Sequence, residues 1–299
     1  MSDIKLFRTG GGSVIELKGE SVVIEKTLQT LIEKDLDAFL GVTFLASEYT
    51  TGKKHGGRID TLGIDENLSP VIIEYKRATN ENVINQGLFY LDWLLDHQAE
   101  FKLLVMKRLG NAVEPKIDWA GTRLICVAAD FTKYDEHAVT QINRNIELYR
   151  YRTYKEGLLL LELANAVQAT ALSGGSGAKV VQYKGVADYI EQASSELTDL
   201  YHALDAYLTA LGDVQVNPTK QYIAYRRIKN FACVEVHAKS KKLLVYVKVD
   251  PDTLALEPGF TRDVRNIGHF GTGDLEITLR FPADLERAKP LLAASYNAS

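Results

Sequence analysis

Three side chains in this sequence have types and spacing that could do chemistry: Asp60, Glu74 and Lys76. In the extended run Val71-Ile72-Ile73-Glu74-Tyr75-Lys76-Arg77, successive side chains alternate between faces. Glu74 and Lys76 therefore share one face, and Val71, Ile73 and Tyr75 share the other. The preceding Asp65-Glu66-Asn67-Leu68-Ser69-Pro70 is rich in turn formers, and a hairpin symmetric about Asn67 sets Asp60 opposite Glu74. Opposed residues of that kind have Cβ atoms roughly 4.5 to 5.5 Å apart. Two carboxylates at that range repel, the more so when buried, so either one is protonated or a cation lies between them. A hard divalent cation such as Mg²⁺, with Mn²⁺ able to substitute, suits an all-oxygen set that leaves positions for water and substrate phosphate. It would lower the pKa of a bound water, while Lys76 orients that water or supports the charged transition state. The chemistry so described is phosphodiester hydrolysis. The Glu-x-Lys triplet alone points to an ordinary hairpin whose Glu74 and Lys76 are solvated or paired with each other, so its surroundings decide.

Those surroundings read as a helix, three strands, a helix, a strand and a helix. Apolar residues at Ile24, Leu28, Leu31, Ile32, Leu36 and Phe39 predict one helix over Val22 to Leu40, stopped at Gly41. Strands are expected at Thr43 to Thr50, Arg58 to Ile64 and Val71 to Arg77. A long amphipathic helix, Glu81 to Gln98, and a second one near Glu100 to Arg108 precede a strand over Thr122 to Ala129. A helix from Asp135 to Leu148 then leads into strands at Tyr149 to Tyr154 and Leu158 to Leu163.

The segments Gly57-Arg58-Ile59-Asp60 and Val71-Ile72-Ile73-Glu74-Tyr75-Lys76, followed by Gln86 and Tyr90, resemble the PD-(D/E)XK nuclease superfamily. The likeness is to its RecB-like branch and to the archaeal and actinobacterial mismatch endonucleases, and it spans Val22 to Leu163. It implies a restriction-endonuclease-like α/β fold, a mixed sheet flanked by helices, with Asp60 and Glu74 as metal ligands and Lys76 as the catalytic lysine. A superfamily glutamate on the first helix, contributing to the metal site, maps onto Glu25, with Glu33 two turns later as the competitor. Ile59 stands where the superfamily name has proline. Gln86 and Tyr90, four residues apart, share a helix face distinct from that of Ile84, Leu88, Leu91 and Leu95. The resemblance places that pair beside the site, where an amide and a phenol could bond carboxylates, water or nucleic-acid backbone.

The glycine-rich, small-residue stretch Ser173 to Ala178 cannot pack a core, which predicts domains at 1–166 and 184–299 joined by a linker at 167–183. The second is expected to be a smaller α+β domain: a helix over Val186 to Leu211, strands at Val214 to Val216, Phe231 to His237 and Leu243 to Val249, and a helix near Pro282 to Ala294. From Asn217 to about Pro282 it resembles an uncharacterised domain fused behind nucleases of this branch. Between Val214 and Val249 there are eight basic residues and one acid, Glu235, in a chain whose net charge is -4. Arg226, Arg227, Lys229, Lys241 and Lys242, interleaved with Tyr222, Tyr225, Phe231 and Tyr246, are therefore candidates to bind nucleic acid by phosphate neutralisation and stacking.

Other chemistries find little support. Gly10-Gly11-Gly12 and Gly268 to Asp274 lack the lysine of a phosphate-binding loop, and no Gly-x-Ser-x-Gly elbow occurs. His55 is a lone loop histidine. Two cysteines, Cys126 and Cys233, build neither a disulfide framework nor a zinc cluster. No apolar run nears the roughly 18 residues of a membrane span, and the first residues lack a secretory pattern, so a cytoplasmic protein is expected. The expected partner is nucleic acid, DNA above RNA, and a homodimer is compatible with the sequence. The function so read is a Mg²⁺-dependent deoxyribonuclease. The alternative is a catalytically silent nucleic-acid-binding or protein-interaction module that keeps the nuclease fold.

Overall fold

The computed structural model describes residues 4–10, 12–20, 25–76, 83–169 and 186–299. Two compact units divide between Ser173 and Gly174. Val22 to Ile24, Gly11, Arg77, Glu81 and the glycine-rich stretch from Ser173 to Ala178 lie outside the described residues.

The first unit opens on a small hairpin, β1 (Leu6–Arg8) and β2 (Ile15–Leu17), followed by helices α1 (Glu25–Lys34) and α2 (Leu36–Leu40). The single helix expected over this stretch is therefore broken, with Asp35 leaving helical geometry at φ -132°, ψ 44°. Gly41 ends the second piece in the left-handed region, at φ 61°. A six-stranded sheet follows: β3 (Val42–Thr50), the one-turn helix α3 (Gly52–His55), β4 (Arg58–Asp65), β5 (Pro70–Lys76), helices α4 (Val83–Asp96) and α5 (Gln98–Leu109), β6 (Arg123–Ala128), α6 (Lys133–Thr140), β7 (Asn145–Tyr154) and β8 (Leu158–Val167). Strand order is β3-β4-β5-β6-β7-β8. The β5–β6 and β6–β7 pairs are parallel and the others antiparallel, giving a mixed sheet. The helix expected over Asp135 to Leu148 ends eight residues early. Ile146 and Leu148 are fully buried in β7, where pairing with β6 satisfies backbone that a helix would have satisfied internally.

Helices cover both faces of this sheet. Leu62, Ile72 and Leu124 pack with Leu91 and Leu94 of α4, and Gly87 lets that helix approach, since a Cβ there would lie 2.5 Å from a Leu124 methyl. Helix α1 serves the opposite face, with Glu33 reaching Thr61 and Thr61 reaching Tyr75. A strand buried on both faces reads as a continuous apolar run, as β5 does apart from Glu74 and Lys76.

The second unit holds helices α7 (Val186–Glu191) and α8 (Ser195–Thr209), then strands β9 (Gln215–Pro218), β10 (Ile223–Arg226), β11 (Asn230–His237), β12 (Lys242–Val247), β13 (Thr261–Asp263) and β14 (Leu275–Leu279), and helix α9 (Pro282–Asn297). The helix expected over Val186 to Leu211 is two helices, the second capped by the Ser194 hydroxyl, which accepts from Leu197 N–H. Three strands, β10, β13 and β14, went unread because each is short and carries mixed polarity. The antiparallel order is β13-β14-β12-β11-β10-β9. One face packs Ile223, Val234, Val245 and Ile277 against Leu204, Leu285 and Leu292 of the helices. No helix among the described residues is long and apolar enough to cross a membrane.

Candidate metal centre

The hairpin between β4 and β5 has the symmetry about Asn67 that the sequence predicts: Ile64 faces Pro70, Gly63 faces Val71, Leu62 faces Ile72 and Thr61 faces Ile73. One step further lie Asp60 and Glu74. There the backbone ladder gives way to side chains. The Asp60 N–H donates to Glu74 Oε1 at 3.1 Å, and the Tyr75 N–H donates to Asp60 Oδ2 at 3.0 Å. Each strand thus bonds the other strand's carboxylate, which holds both side chains at the point where the strands part.

Burial decides the electrostatics. Glu74 is fully buried, and its Oε2 has no hydrogen-bond partner among the described residues. Its carboxyl is pushed up to about 9, chiefly by burial and next by the Asp60 charge. Burial also raises Asp60, against the Tyr75 N–H and the Lys76 ammonium, which lower it. Among the described residues the site is therefore short of positive charge. Cys126, the β6 neighbour of Glu74, is buried as a free thiol, raised first by burial and then by Glu74.

Lys76 brings a cation whose charge lowers both site carboxyls, and its Nζ lies 3.0 Å from Glu25 Oε1 on the first turn of α1. Of the two helix glutamates, Glu25 reaches the site lysine, whereas Glu33 accepts from the Thr61 hydroxyl at 2.6 Å on the other sheet face. Between them stands Gln29, which the sequence reading missed. Only 3% exposed, it donates through Nε2 to the Asp60 carbonyl at 2.7 Å and to Glu33 at 2.9 Å. Glu25, Gln29 and Glu33 recur every four residues, a polar stripe on an amphipathic helix that was readable as a second layer.

Gln86 and Tyr90 come together, but with partners other than the carboxylates. Gln86 Nε2 donates to the Tyr90 hydroxyl at 3.3 Å, and that hydroxyl accepts the Arg58 N–H at 3.2 Å. Tyr90 is buried in the core under α4, so it braces the start of β4 two residues before Asp60. Among the described residues no three His, Cys, Asp or Glu side chains converge as a metal cage. The donor set is the two-carboxylate kind, which suits a cation that keeps several waters.

The basic residues of the second unit do not form one patch. Arg226, Arg227 and Lys229 flank the β10–β11 turn, and Lys241 and Lys242 the β11–β12 turn, at opposite ends of β11. Seven steps of roughly 3.3 Å put those ends about 23 Å apart. Arg226 is buried and bonds Gln215 at 2.5 Å, and Arg227 lies over the Tyr296 ring. Tyr222, Tyr225, Phe231 and Tyr246 are all buried, which corrects the expectation that they offer rings for stacking.

Residues 186–299 match the family model described as "Domain of unknown function (DUF5655)". That span is wider than the stretch singled out in the sequence. Over 305 residues the chain is 28% identical to an uncharacterized protein of Haemophilus influenzae, covering 97% of this chain and 98% of the relative. Both units thus have counterparts in one other chain. A solved structure, "Structure of EndoMS-dsDNA2 complex", aligns over 44% of this chain at 18% identity and a TM-score of 0.26. This chain spans 47% of the length of that one.

Proposed function

We propose that the first unit is a Mg²⁺-dependent nuclease of the PD-(D/E)XK superfamily, hydrolysing phosphodiester bonds in nucleic acid, DNA foremost. One observation carries this reading: a fully buried glutamate whose Oε2 has no partner among the described residues, set against a second carboxylate and two positions from a lysine. Leaving a buried carboxylate oxygen unmatched is costly unless something binds there. Asp60 and Glu74 would hold the cation. When bound, it would activate water and offset charge on the attacked phosphate.

The chain's own residues do the rest. Lys76, with its side chain 16% exposed, reaches the site mouth and brings an ammonium to the phosphate that approaches there. Glu25 holds that ammonium in place. Gln29 fixes the backbone that carries Asp60, and Tyr90 fixes the strand entry.

The test is cleavage of single-stranded, duplex and branched DNA and RNA by the full chain, with Mg²⁺, Mn²⁺ or a chelator. Cleavage is expected with metal and none with chelator. Asp60→Ala, Glu74→Ala and Lys76→Ala should each reduce the rate by about 100-fold or more. Wild-type cleavage by Asp60→Ala would overturn the assignment. Binding without cleavage under every metal condition would leave the silent module as the better account.

A further inference from the structure

Beside the candidate metal centre runs a chain of rings of which the nuclease reading uses only Tyr90. Tyr90, whose hydroxyl holds the Arg58 N–H, has its ring centroid 5.9 Å from that of Phe89. Phe89 lies 5.9 Å from His55, and His55 meets His97 edge-on at 5.3 Å. His97 in turn stacks on Trp93 at 4.8 Å. Trp93 is buried, but Phe89 is 48% exposed and both histidines are half-buried, so the outer rings face water.

The loop that carries His55 is held firmly. The Thr51 hydroxyl donates to the Gly57 carbonyl at 3.0 Å and accepts the Gly57 N–H at 2.9 Å, closing the base of the Gly52–His55 turn. Gly57 packs against the Tyr90 ring, where a Cβ would lie 2.5 Å from Cε1, so loop and ring chain fit as one surface. That turn also presents Lys53 and Lys54, both exposed and neither ion-paired among the described residues. Arg58, paired with Glu48, adds an exposed guanidinium next to the loop. Asp92 and Asp96, on the following turns of α4, carry the opposite charge and would repel phosphate.

Exposed rings flanked by cations are the chemistry that holds an unpaired nucleotide: the base stacks and its phosphates meet the lysines. A paired base in a duplex has no free face to offer. We infer that Phe89 and His55, with Lys53 and Lys54, form a stacking site for an unpaired base, so the substrate class is nucleic acid with a single-stranded segment at the cleavage point. This rests on the nuclease reading for its purpose, though binding there needs neither metal nor turnover.

The probe is a short single-stranded oligodeoxynucleotide bearing 2-aminopurine, titrated with the full chain in chelator. Stacking quenches the fluorophore. Phe89→Ala and His55→Ala should each weaken binding about tenfold and reduce the quench, with the melting temperature unmoved for the exposed Phe89. Lys53→Ala with Lys54→Ala should flatten the slope of log affinity against log salt by about 1.4, from roughly 0.7 per phosphate contact on single strands. A quench that survives both ring variants, or a blunt duplex bound as tightly as the single strand, overturns the inference. Metal-dependent duplex cleavage with no quench sinks this site and leaves the nuclease standing. A ring-dependent quench without cleavage under any metal does the reverse.

Discussion

Asp60 and Asp65 stand near opposite ends of one strand, β4, and both carboxylates are drawn out of water, yet their surroundings are opposite in kind. Asp65 lies in a closed set. Its Oδ1 accepts the N–H groups of Asn67 and Ser69, and its Oδ2 accepts Arg123 Nε at 3.2 Å. Arg123 also bonds both Glu147 oxygens at 2.9 Å, and the Tyr149 hydroxyl donates to Glu147. Burial works against the guanidinium charge, but Glu147 and Asp65 outweigh it and hold Arg123 charged. At the other end, among the described residues, Asp60 and Glu74 share no buried cation and Glu74 Oε2 has no partner. Burying charge is thus not in itself a sign of function. The informative end is the one where the structure leaves the charge unmatched.

Breaking the closed end should have the largest effect on stability. Arg123→Met strands two buried carboxylates, so unfolding in urea should show a loss of about 3–5 kcal/mol. Metal-dependent cleavage per folded molecule should hold, because the site lies at the far end of β4. A loss under about 1 kcal/mol would mean the closed set is not what secures that end.

The open end should respond in the contrary sense. Glu74 is raised to about 9 in the fold against 4.5 ordinarily, so the folded chain holds a proton that the unfolded chain gives up. Without metal, stability should fall as pH rises from about 4.5 toward 9, by at most roughly 1.4 kcal/mol per pH unit. Asp60 acts in the same direction. Glu74→Gln should raise the melting temperature of the chelated protein at pH 8 by a few degrees and flatten its pH dependence. A wild-type melting temperature that climbs across that range in chelator contradicts the picture.

The smallest effect is expected from the brace. Tyr90→Phe keeps the ring in the core and removes only the bonds to Arg58 and Gln86, which should cost about 1 kcal/mol in urea unfolding. Cleavage should slow less than with Asp60→Ala. A Tyr90→Phe variant as inactive as Asp60→Ala would mean that the hydroxyl touches the reacting groups.

The open end was legible in the sequence because its signal is local. Turn formers around Asn67 and the alternation of β5 fix which side chains meet, and Asp60 and Glu74 meet as expected. The closed end was not, since Asp65, Arg123 and Glu147 come from three strands joined by long connections, and no spacing along the chain links them. Apolar periodicity placed the helices but not their breaks: Asp35 and Ser194 interrupt patterns that run on across them. Periodicity also carried α6 into β7, because a strand buried on both faces has no alternation to betray it. In the second unit the interleaved cations and rings read as one surface. Strand alternation and the two hairpin turns instead send the rings inward and the cations to separate ends.

The turn at Asn67 acts as a ruler for the chemistry seven residues away on either arm. Asp65 N–H meets the Ser69 carbonyl at 2.9 Å, Leu68 N–H meets the Asp65 carbonyl at 3.0 Å, and Leu68 takes a φ of 60°. One residue gained or lost there would slide β5 by one place against β4. Because strand side chains alternate, that slip would carry Glu74 and Lys76 to the α1 face and bring Ile73 or Tyr75 opposite Asp60. Changes in this loop are therefore constrained by parity as well as by length. A two-residue change keeps the faces but moves Asp60 away from Glu74, so this connection has little freedom to vary in length.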